Sequence, residues 1–393
     1  MDPAELTTLL SPEGLRLLDS LPPYDSRQDV VRMVAELRKD GHPPELVAAV
    51  LTQSKLRARA STKFGPFASR MLFTEAGLEQ ATRLSVAAHH AGRFAAAGLT
   101  TVADLGCGIG ADALALAALD LSVTAVDRDE VTAAVAAYNL APWDTATVVH
   151  GDAESVELGA FDGVYLDPAR RNTSRRLSDP AQWSPSLTFA YGVGAAMPTG
   201  IKLGPGIDRE LLPPDAEAQW VSVDRDVLEV GVWCGALARP GIRRAALVIG
   251  THGQAELTAV ADTPDVETGP LGDFVYEPDG AIIRARLIGD LARRLDARMV
   301  SPDIAYLTSD TAVDTPFATR FRVLERWPFD PRYLSRELRS RSIGSLEIKK
   351  RGVDVDPALL RKKLALRGPE SATLIITRVA GRHAVLLVSR DDA

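Results

Sequence analysis

Cysteine is almost absent: Cys107 and Cys234, far apart in sequence, are the two in 393 residues. No disulfide framework and no cysteine-based metal site can be built from them. The six histidines show no ligand spacing, and the adjacent pair His89-His90 suits surface or packing, so no metal is expected. No apolar run reaches the ~20 residues of a membrane-spanning helix. The first residues, Met1-Asp2-Pro3-Ala4-Glu5, lack the basic region and apolar stretch of a secretion signal. A cytoplasmic protein with no membrane partner is the expectation. The rest is ordinary for a soluble chain of two or three domains, with 46% apolar and 25% charged residues.

The net charge of −7 hides an asymmetry. Residues 320–382 hold 16 Lys/Arg against 7 Asp/Glu, a balance of +9, and the remainder carries −16. A small basic module on an acidic body points to a surface for a polyanion. A solvated basic face without a partner is the plainer alternative.

Residues 1–98 read as a helical N-terminal domain. Helices are predicted over 6–18, 29–38, 44–56 and 77–97, with breaks at Pro22-Pro23 and Gly41-His42-Pro43-Pro44. Residues 99–250 alternate strands and helices, the pattern of a parallel sheet with crossover helices. A hairpin over 218–234 with its turn at Val223-Asp224-Arg225-Asp226, then a last strand over 244–249, closes this domain. Residues 251–316 form a polar connector with a helix over 279–296. Residues 317–393 read as β-α-β-α-β-β, a small α+β sandwich compatible with RNA binding.

The informative stretch is Val102-Ala103-Asp104-Leu105-Gly106-Cys107-Gly108-Ile109-Gly110-Ala111-Asp112, an apolar strand running through a glycine turn into a helix. That order opens nucleotide-binding α/β domains. Gly106, Gly108 and Ala111 also satisfy the dinucleotide pattern, so the glycines alone leave a nicotinamide-binding domain, or a pocket that binds nothing, open. The carboxylates at successive strand ends discriminate. Asp104, before the first glycine, suits an ammonium group better than a pyrophosphate. Asp127, ending the second strand with Arg128 after it, can accept both ribose hydroxyls. Asp152-Ala153 after the third can meet an adenine amino group, and Asp167-Pro168 ends the fourth.

This series resembles the class I S-adenosylmethionine-dependent methyltransferases. The resemblance implies a Rossmann-like α/β fold with a seven-stranded sheet, S-adenosylmethionine as cofactor, and Asp104, Gly106, Gly108, Gly110, Asp127, Arg128, Asp152 and Ala153 around it. The whole chain resembles a bacterial branch of that class with a C-terminal THUMP-like domain. The strings are Tyr276-Glu277-Pro278-Asp279, Ala305-Tyr306-Leu307-Thr308-Ser309-Asp310 and Glu347-Ile348-Lys349-Lys350-Arg351-Gly352. THUMP domains bind structured RNA, so the resemblance implies an RNA partner, with Lys349, Lys350 and Arg351 as candidate contacts. The N-terminal half is also similar to trimethylguanosine synthase and its relatives, through Leu72-Phe73-Thr74-Glu75. That likeness places Phe73 and Thr74 over the methionine end of the cofactor. A helix capped by Thr74 and docked on the core is the other reading.

Asp167-Pro168-Ala169-Arg170-Arg171 stands where amine-methylating members carry Asp/Asn-Pro-Pro-aromatic. An aromatic amine is a weak nucleophile, and a carboxylate plus the following carbonyl can hold its two N–H groups and direct its lone pair. Asp167 and Pro168 are therefore the catalytic candidates. The second proline and the aromatic stacker are missing. Arg170 and Arg171 replace them and can stack on a base or clamp a phosphate. The expected activity is methyl transfer to a base nitrogen of RNA. A small-molecule or protein substrate, or a non-catalytic RNA-binding adaptor with a vestigial pocket, is the alternative.

Overall fold

Prolines and short polar caps set the first helices. Helices α1 (Pro3–Leu10) and α2 (Pro12–Ser20) both begin on proline, where the missing N–H has no intrahelical acceptor to lose. Asp2 and Ser11 accept the amides of Glu5 and Gly14 at 2.8 and 3.0 Å. The single helix expected over 6–18 is thus two, parted at Ser11-Pro12. Helix α3 (Val30–Lys39) precedes α4 (Pro44–Phe64), which runs past its expected end to Gly65, where φ is 54°. The buried face of α4 includes Leu46, Val50, Gln53, Leu56, Ala60 and Phe64. Helices α5 (Glu75–Gln80) and α6 (Leu84–Ala96) replace the one expected over 77–97, because Ala81 is extended. This computed structural model describes residues 1–25, 30–168, 171–172, 175–176, 183–251 and 253–390, with backbone alone at 171–172 and 175–176.

Alternating strands and helices follow: β1 (Thr101–Leu105), α7 (Ala111–Ala117), β2 (Ser122–Asp127), α8 (Glu130–Leu140), β3 (Ala146–His150) and β4 (Gly163–Leu166). Next come the short ribbon β5 (Arg171–Asn172) and β6 (Arg175–Arg176), then α9 (Leu187–Ala196) and β7 (Thr199–Leu203). All the pairings among β1, β2, β3, β4 and β7 are parallel. Leu105 lies level with Val126 and Leu166, so the residues after them, Gly106, Asp127 and Asp167, gather at one rim. The chain then forms β8 (Glu217–Val223), β9 (Asp226–Cys234), β10 (Arg244–Gly250) and β11 (Gly253–Ala259). Asp224 and Arg225 make the β8–β9 turn with φ of 49° and 75°, the two positive values of a tight hairpin.

Strand order in the larger sheet is β3-β2-β1-β4-β7-β9-β8-β10-β11. The sheet therefore has nine strands where seven were expected. Strand β10 pairs parallel to β8, and β11 lies antiparallel on its far edge. Edge strand β11 buries Leu257 alone, so its sequence is polar and reads as loop.

Contacts divide the chain into two units. One holds Met1–Leu203, Pro213–Ala216 and Val232–Arg239; the other holds Gly204–Leu212, Glu217–Gly231 and Pro240–Ala393. In the second unit, the segment read as a connector is folded. It contributes β12 (Phe274–Pro278), α10 (Gly280–Arg284), α11 (Ile288–Arg294), β13 (Arg298–Ser301) and β14 (Ile304–Ser309). The helix expected over 279–296 is two, with Arg286 at φ 61° between them. The expected β-α-β-α-β-β order is present as β15 (Ala318–Trp327), α12 (Pro331–Ser340), β16 (Ile343–Lys350), α13 (Pro357–Leu364), β17 (Glu370–Val379) and β18 (Arg382–Ser389).

Together these strands make a seven-stranded sheet, β13-β14-β12-β15-β18-β17-β16. Alternation along β17 divides its faces. Leu374 and Ile376 pack with Leu334, Leu338, Leu360 and Leu364 of α12 and α13, whereas Ile375 packs with Tyr306 and Phe321 on the other side. No helix among the described residues is long and apolar enough to cross a membrane.

Candidate active site

The glycine loop is pinned from beneath. The amides of Gly106 and Cys107 both donate to the Val126 carbonyl, at 2.9 and 3.0 Å. Gly106 adopts φ 84°, and a Cβ there would stand 3.0 Å from the Asp167 carbonyl oxygen. Only glycine allows that approach. The glycine loop and the Asp167-Pro168 segment are therefore in contact, joining the expected cofactor cradle to the expected catalytic motif.

Asp127 closes the second side. Its Oδ2 accepts the Gly108 amide at 3.0 Å and its Oδ1 the Asp129 amide at 2.9 Å. Burial raises its carboxyl above the ordinary range, against the pull of those two amides. A carboxylate offers about four acceptor positions, so acceptor capacity is left for a ribose diol. Arg128 is exposed. Asp152 is exposed and accepts the Glu154 amide at 3.0 Å, capping a 3-10 turn that buries Ala153.

Asp104 decides whether this cradle suits a cation. It is 1% exposed, and among the described residues neither carboxylate oxygen has a partner in full hydrogen-bonding geometry. Burial, then the neighbouring Asp112 and Asp167, push its carboxyl well above the usual range, only partly offset by Lys202 and the nearby Ala113 amide. A buried unpartnered acceptor costs about 1–3 kcal/mol, more if charged. A buried group left so calls for an explanation, and a bound ion or ligand that completes it is one. The ammonium and sulfonium of S-adenosylmethionine are the complement, and Asp104, Gly106, Gly108 and Asp127 are the residues that would hold it.

Beneath the rim runs a buried polar chain that the sequence reading missed. Lys202 Nζ lies 2.5 Å from Asp167 Oδ2 and donates to the Thr82 hydroxyl at 2.9 Å. Thr82 donates to Asp112 Oδ2 at 2.6 Å. His90 Nδ1 lies 2.7 Å from Asp112 Oδ1 and 2.9 Å from the Tyr165 hydroxyl. Asp112 is buried, yet its carboxyl is lowered, because hydrogen bonds and charge from His90, Lys202 and Thr82 outweigh desolvation. Lys63 bonds the carbonyls of Leu78, Glu79 and Ala81 at 2.7–2.9 Å, and burial with the nearby Lys202 lowers it to about 8. One signal was available in sequence: Lys202 is the lone charge in the apolar strand Gly200–Leu203.

Phe73 is fully buried with its ring 5.6 Å from that of Phe64, inside the helical core. Thr74 caps α5 by accepting the Gly77 amide at 2.9 Å. Two buried amides fasten this segment. Gln53 bonds both the N–H and the carbonyl of Phe73, at 3.0 and 2.7 Å. Asn139 of α8 accepts the Leu72 amide at 2.8 Å and donates to the carbonyls of Leu72 and of Ile109 in the glycine loop, at 3.0 and 2.9 Å. A Cβ at Gly77 would sit 2.5 Å from Ile109 Cγ2, so α5 lies directly on that loop. Asn139→Leu strands three buried backbone groups and is expected to cost about 3 kcal/mol or more. Urea unfolding measures it; a loss below about 1 kcal/mol would show that water takes over those bonds.

In the other unit, Lys349 pairs with Glu277 at 2.6 Å and Arg351 donates to the Ala305 carbonyl at 2.8 Å while lying over the Tyr306 ring. Both have internal partners, whereas Lys350 is exposed. The string Tyr276–Asp279 is structural in the same sense: Tyr276 accepts the Val313 amide, and Asp279 caps α10 and faces Arg225 at 3.7 Å. Arg170, and the side chain of Arg171, lie outside the described residues.

Comparison with known proteins gives the family. Residues 102–174 match a methyltransferase domain family, 318–390 a THUMP domain-like family, and 2–60 a domain family of unknown function. A protein of Mycobacterium tuberculosis named as an uncharacterized S-adenosylmethionine-dependent methyltransferase is 34% identical over 338 residues, covering 82% of this chain and 90% of its own. A crystal structure of a methyltransferase-type protein from Porphyromonas gingivalis W83 superposes with a TM-score of 0.76 at 24% identity, over 100% of both chains, and attests the fold. With a methyltransferase match over the glycine loop, a THUMP-like match at the C-terminal end and a Mycobacterium relative this similar, the chain belongs to the class I S-adenosylmethionine-dependent methyltransferases that carry a C-terminal THUMP-like domain.

Proposed function

We propose that this methyltransferase acts on RNA, at a base nitrogen. The observation that carries the reading is the contact of Asp167-Pro168 with the glycine loop, with Lys202 paired to Asp167 Oδ2. S-adenosylmethionine supplies a methyl group on a sulfonium, reactive enough to need no metal. The chain's residues then have a positional task. Asp167 would accept one N–H of the base and meet the positive charge that develops on its nitrogen, which then gives up a proton to solvent. The Pro168 carbonyl accepts the other N–H. Lys202 fixes the carboxylate from behind. Alignment of this kind can supply on the order of 7–11 kcal/mol.

Around this centre, Asp104, Gly106, Gly108, Gly110, Asp127, Arg128, Asp152 and Ala153 form the cofactor cradle in this reading, and the segment 71–77 forms one wall. Arg170 and Arg171 contact the substrate beside Asp167. The THUMP-like match and the +9 balance over 320–382 support RNA as the partner, with Lys350 the exposed cation of the 349–351 run.

The test compares modified nucleosides in total RNA from cells with and without the protein, by mass spectrometry. Loss of one methylated base on deletion, restored by the purified enzyme with S-adenosylmethionine, is expected. An unchanged RNA profile together with methyl incorporation into protein or small molecules would refute it.

A further inference from the structure

The cations first expected to meet RNA are drawn inward: Lys349 pairs with Glu277, Arg351 meets Ala305 and Tyr306, and both are half-buried. A different surface of the same unit presents its charge outward. Helix α12 carries Arg332, Ser335, Arg336 and Arg339 at spacings of three and four, so they share one face. Leu334 and Leu338 bury the opposite face. Asp330 fixes the first turn by accepting the Tyr333 amide at 2.7 Å. Lys363 of α13 and Pro331 complete the rim of a shallow, open cleft of about 570 Å³.

Four cations and a hydroxyl line this cleft, with no carboxylate among the described lining residues. Arg332, Arg336, Arg339 and Lys363 are all exposed. Their second contacts orient them without consuming them. Arg336 rests over the Tyr333 ring and gives two N–H groups to Glu337 Oε1, both at 3.1 Å, and Arg339 gives one N–H to the Leu364 carbonyl at 3.1 Å. A guanidinium has five N–H donors, so each retains a fork for an anion. From Arg332 to Arg339 the helix rises roughly 10 Å, enough to meet more than one phosphate of a strand. Pro331 is the one apolar side chain among the described lining residues, whereas the centre of a protein–protein interface is largely apolar.

We propose that the α12–α13 cleft grips the phosphodiester backbone of the RNA substrate. This rests on the RNA reading above and assigns it a surface. The test uses the full chain and a fluorescently labelled RNA hairpin, titrated at several salt concentrations. R332Q/R336Q/R339Q is compared with R322Q/R326Q/R378Q, which removes the same charge from exposed strand positions of the same unit. R332Q/R336Q spares the Arg339–Leu364 bond, in case the triple variant is unstable.

The cleft triple is expected to lose about tenfold or more in affinity and to lower the salt slope by about 2; the control changes less than about twofold. Equal losses in both triples, or no loss in the cleft variants, would overturn the assignment while leaving RNA as substrate. If the wild-type chain fails to bind the hairpin even at low salt, the RNA reading itself falls. Polyglutamate competing as well as unlabelled RNA at equal charge would replace the nucleic acid by an acidic protein.

Discussion

Asp167→Ala is expected to abolish methyl transfer and to leave S-adenosylmethionine affinity within about twofold of wild type. Removing one preorganised group aimed at developing charge typically costs 10²–10³ in turnover, roughly 2.7–4 kcal/mol. Asp167 fits that role because its carbonyl abuts Gly106 while its carboxylate is paired with Lys202 at 2.5 Å. Single-turnover kinetics with saturating cofactor, alongside calorimetric titration of the cofactor, separate the two quantities. Loss of both together would make Asp167 a structural prop of the glycine loop. Lys202→Met should lower turnover less, and Lys202→Arg should recover part of it, because what the ammonium contributes is orientation and charge. Equal inactivity of both Lys202 variants would instead place its importance in the Thr82–Asp112 chain below.

Asp104→Asn has effects of opposite sign on binding and stability. A charge-assisted hydrogen bond is worth about 1.5–3 kcal/mol, so losing one weakens S-adenosylmethionine binding by roughly ten- to a hundredfold. Without cofactor the same change stabilises the fold. The Asp104 carboxyl is raised well above its ordinary value by burial and by Asp112 and Asp167. Its ionisation therefore favours the unfolded chain. In acid, below the unfolded carboxyl pKa of about 3.9, both forms are neutral and wild type and variant should melt together. As pH rises through the interval up to the raised folded value, wild type falls progressively below the variant. Cofactor affinity of wild type should climb over that interval, since binding selects the ionised carboxylate. Calorimetric melting and titration across pH test both arms. A variant that melts lower than wild type at neutral pH without cofactor would show that Asp104 has a structural partner.

The cradle was legible because its chemistry is local. Strand, glycine turn and helix follow one another within a single stretch, and each acidic residue sits at the end of its own strand. Lys202 stood in plain view as a charge inside an apolar strand. Its partner is far away in sequence, and nothing local says which carboxylate it meets. Asn139 and Gln53 were illegible for another reason: a polar residue on a helix reads as solvent-facing until the fold shows the backbone groups it satisfies. The same limit misread 251–316, where short strands with polar edges carry too little alternation to announce a sheet. Lys349 and Arg351 show the converse, since a basic run looks like a binding surface until Glu277 and Tyr306 are placed beside it.

Sequence by itself determined the α/β class, the order of the two α/β parts, the glycine loop and the acidic rim, because each follows from residue type at short spacing. Tertiary structure alone decided which carboxylate is buried without a partner, which is paired with lysine, and which cations remain outward. Those are properties of burial and charge summed over residues distant in the chain, and only the folded packing brings them together.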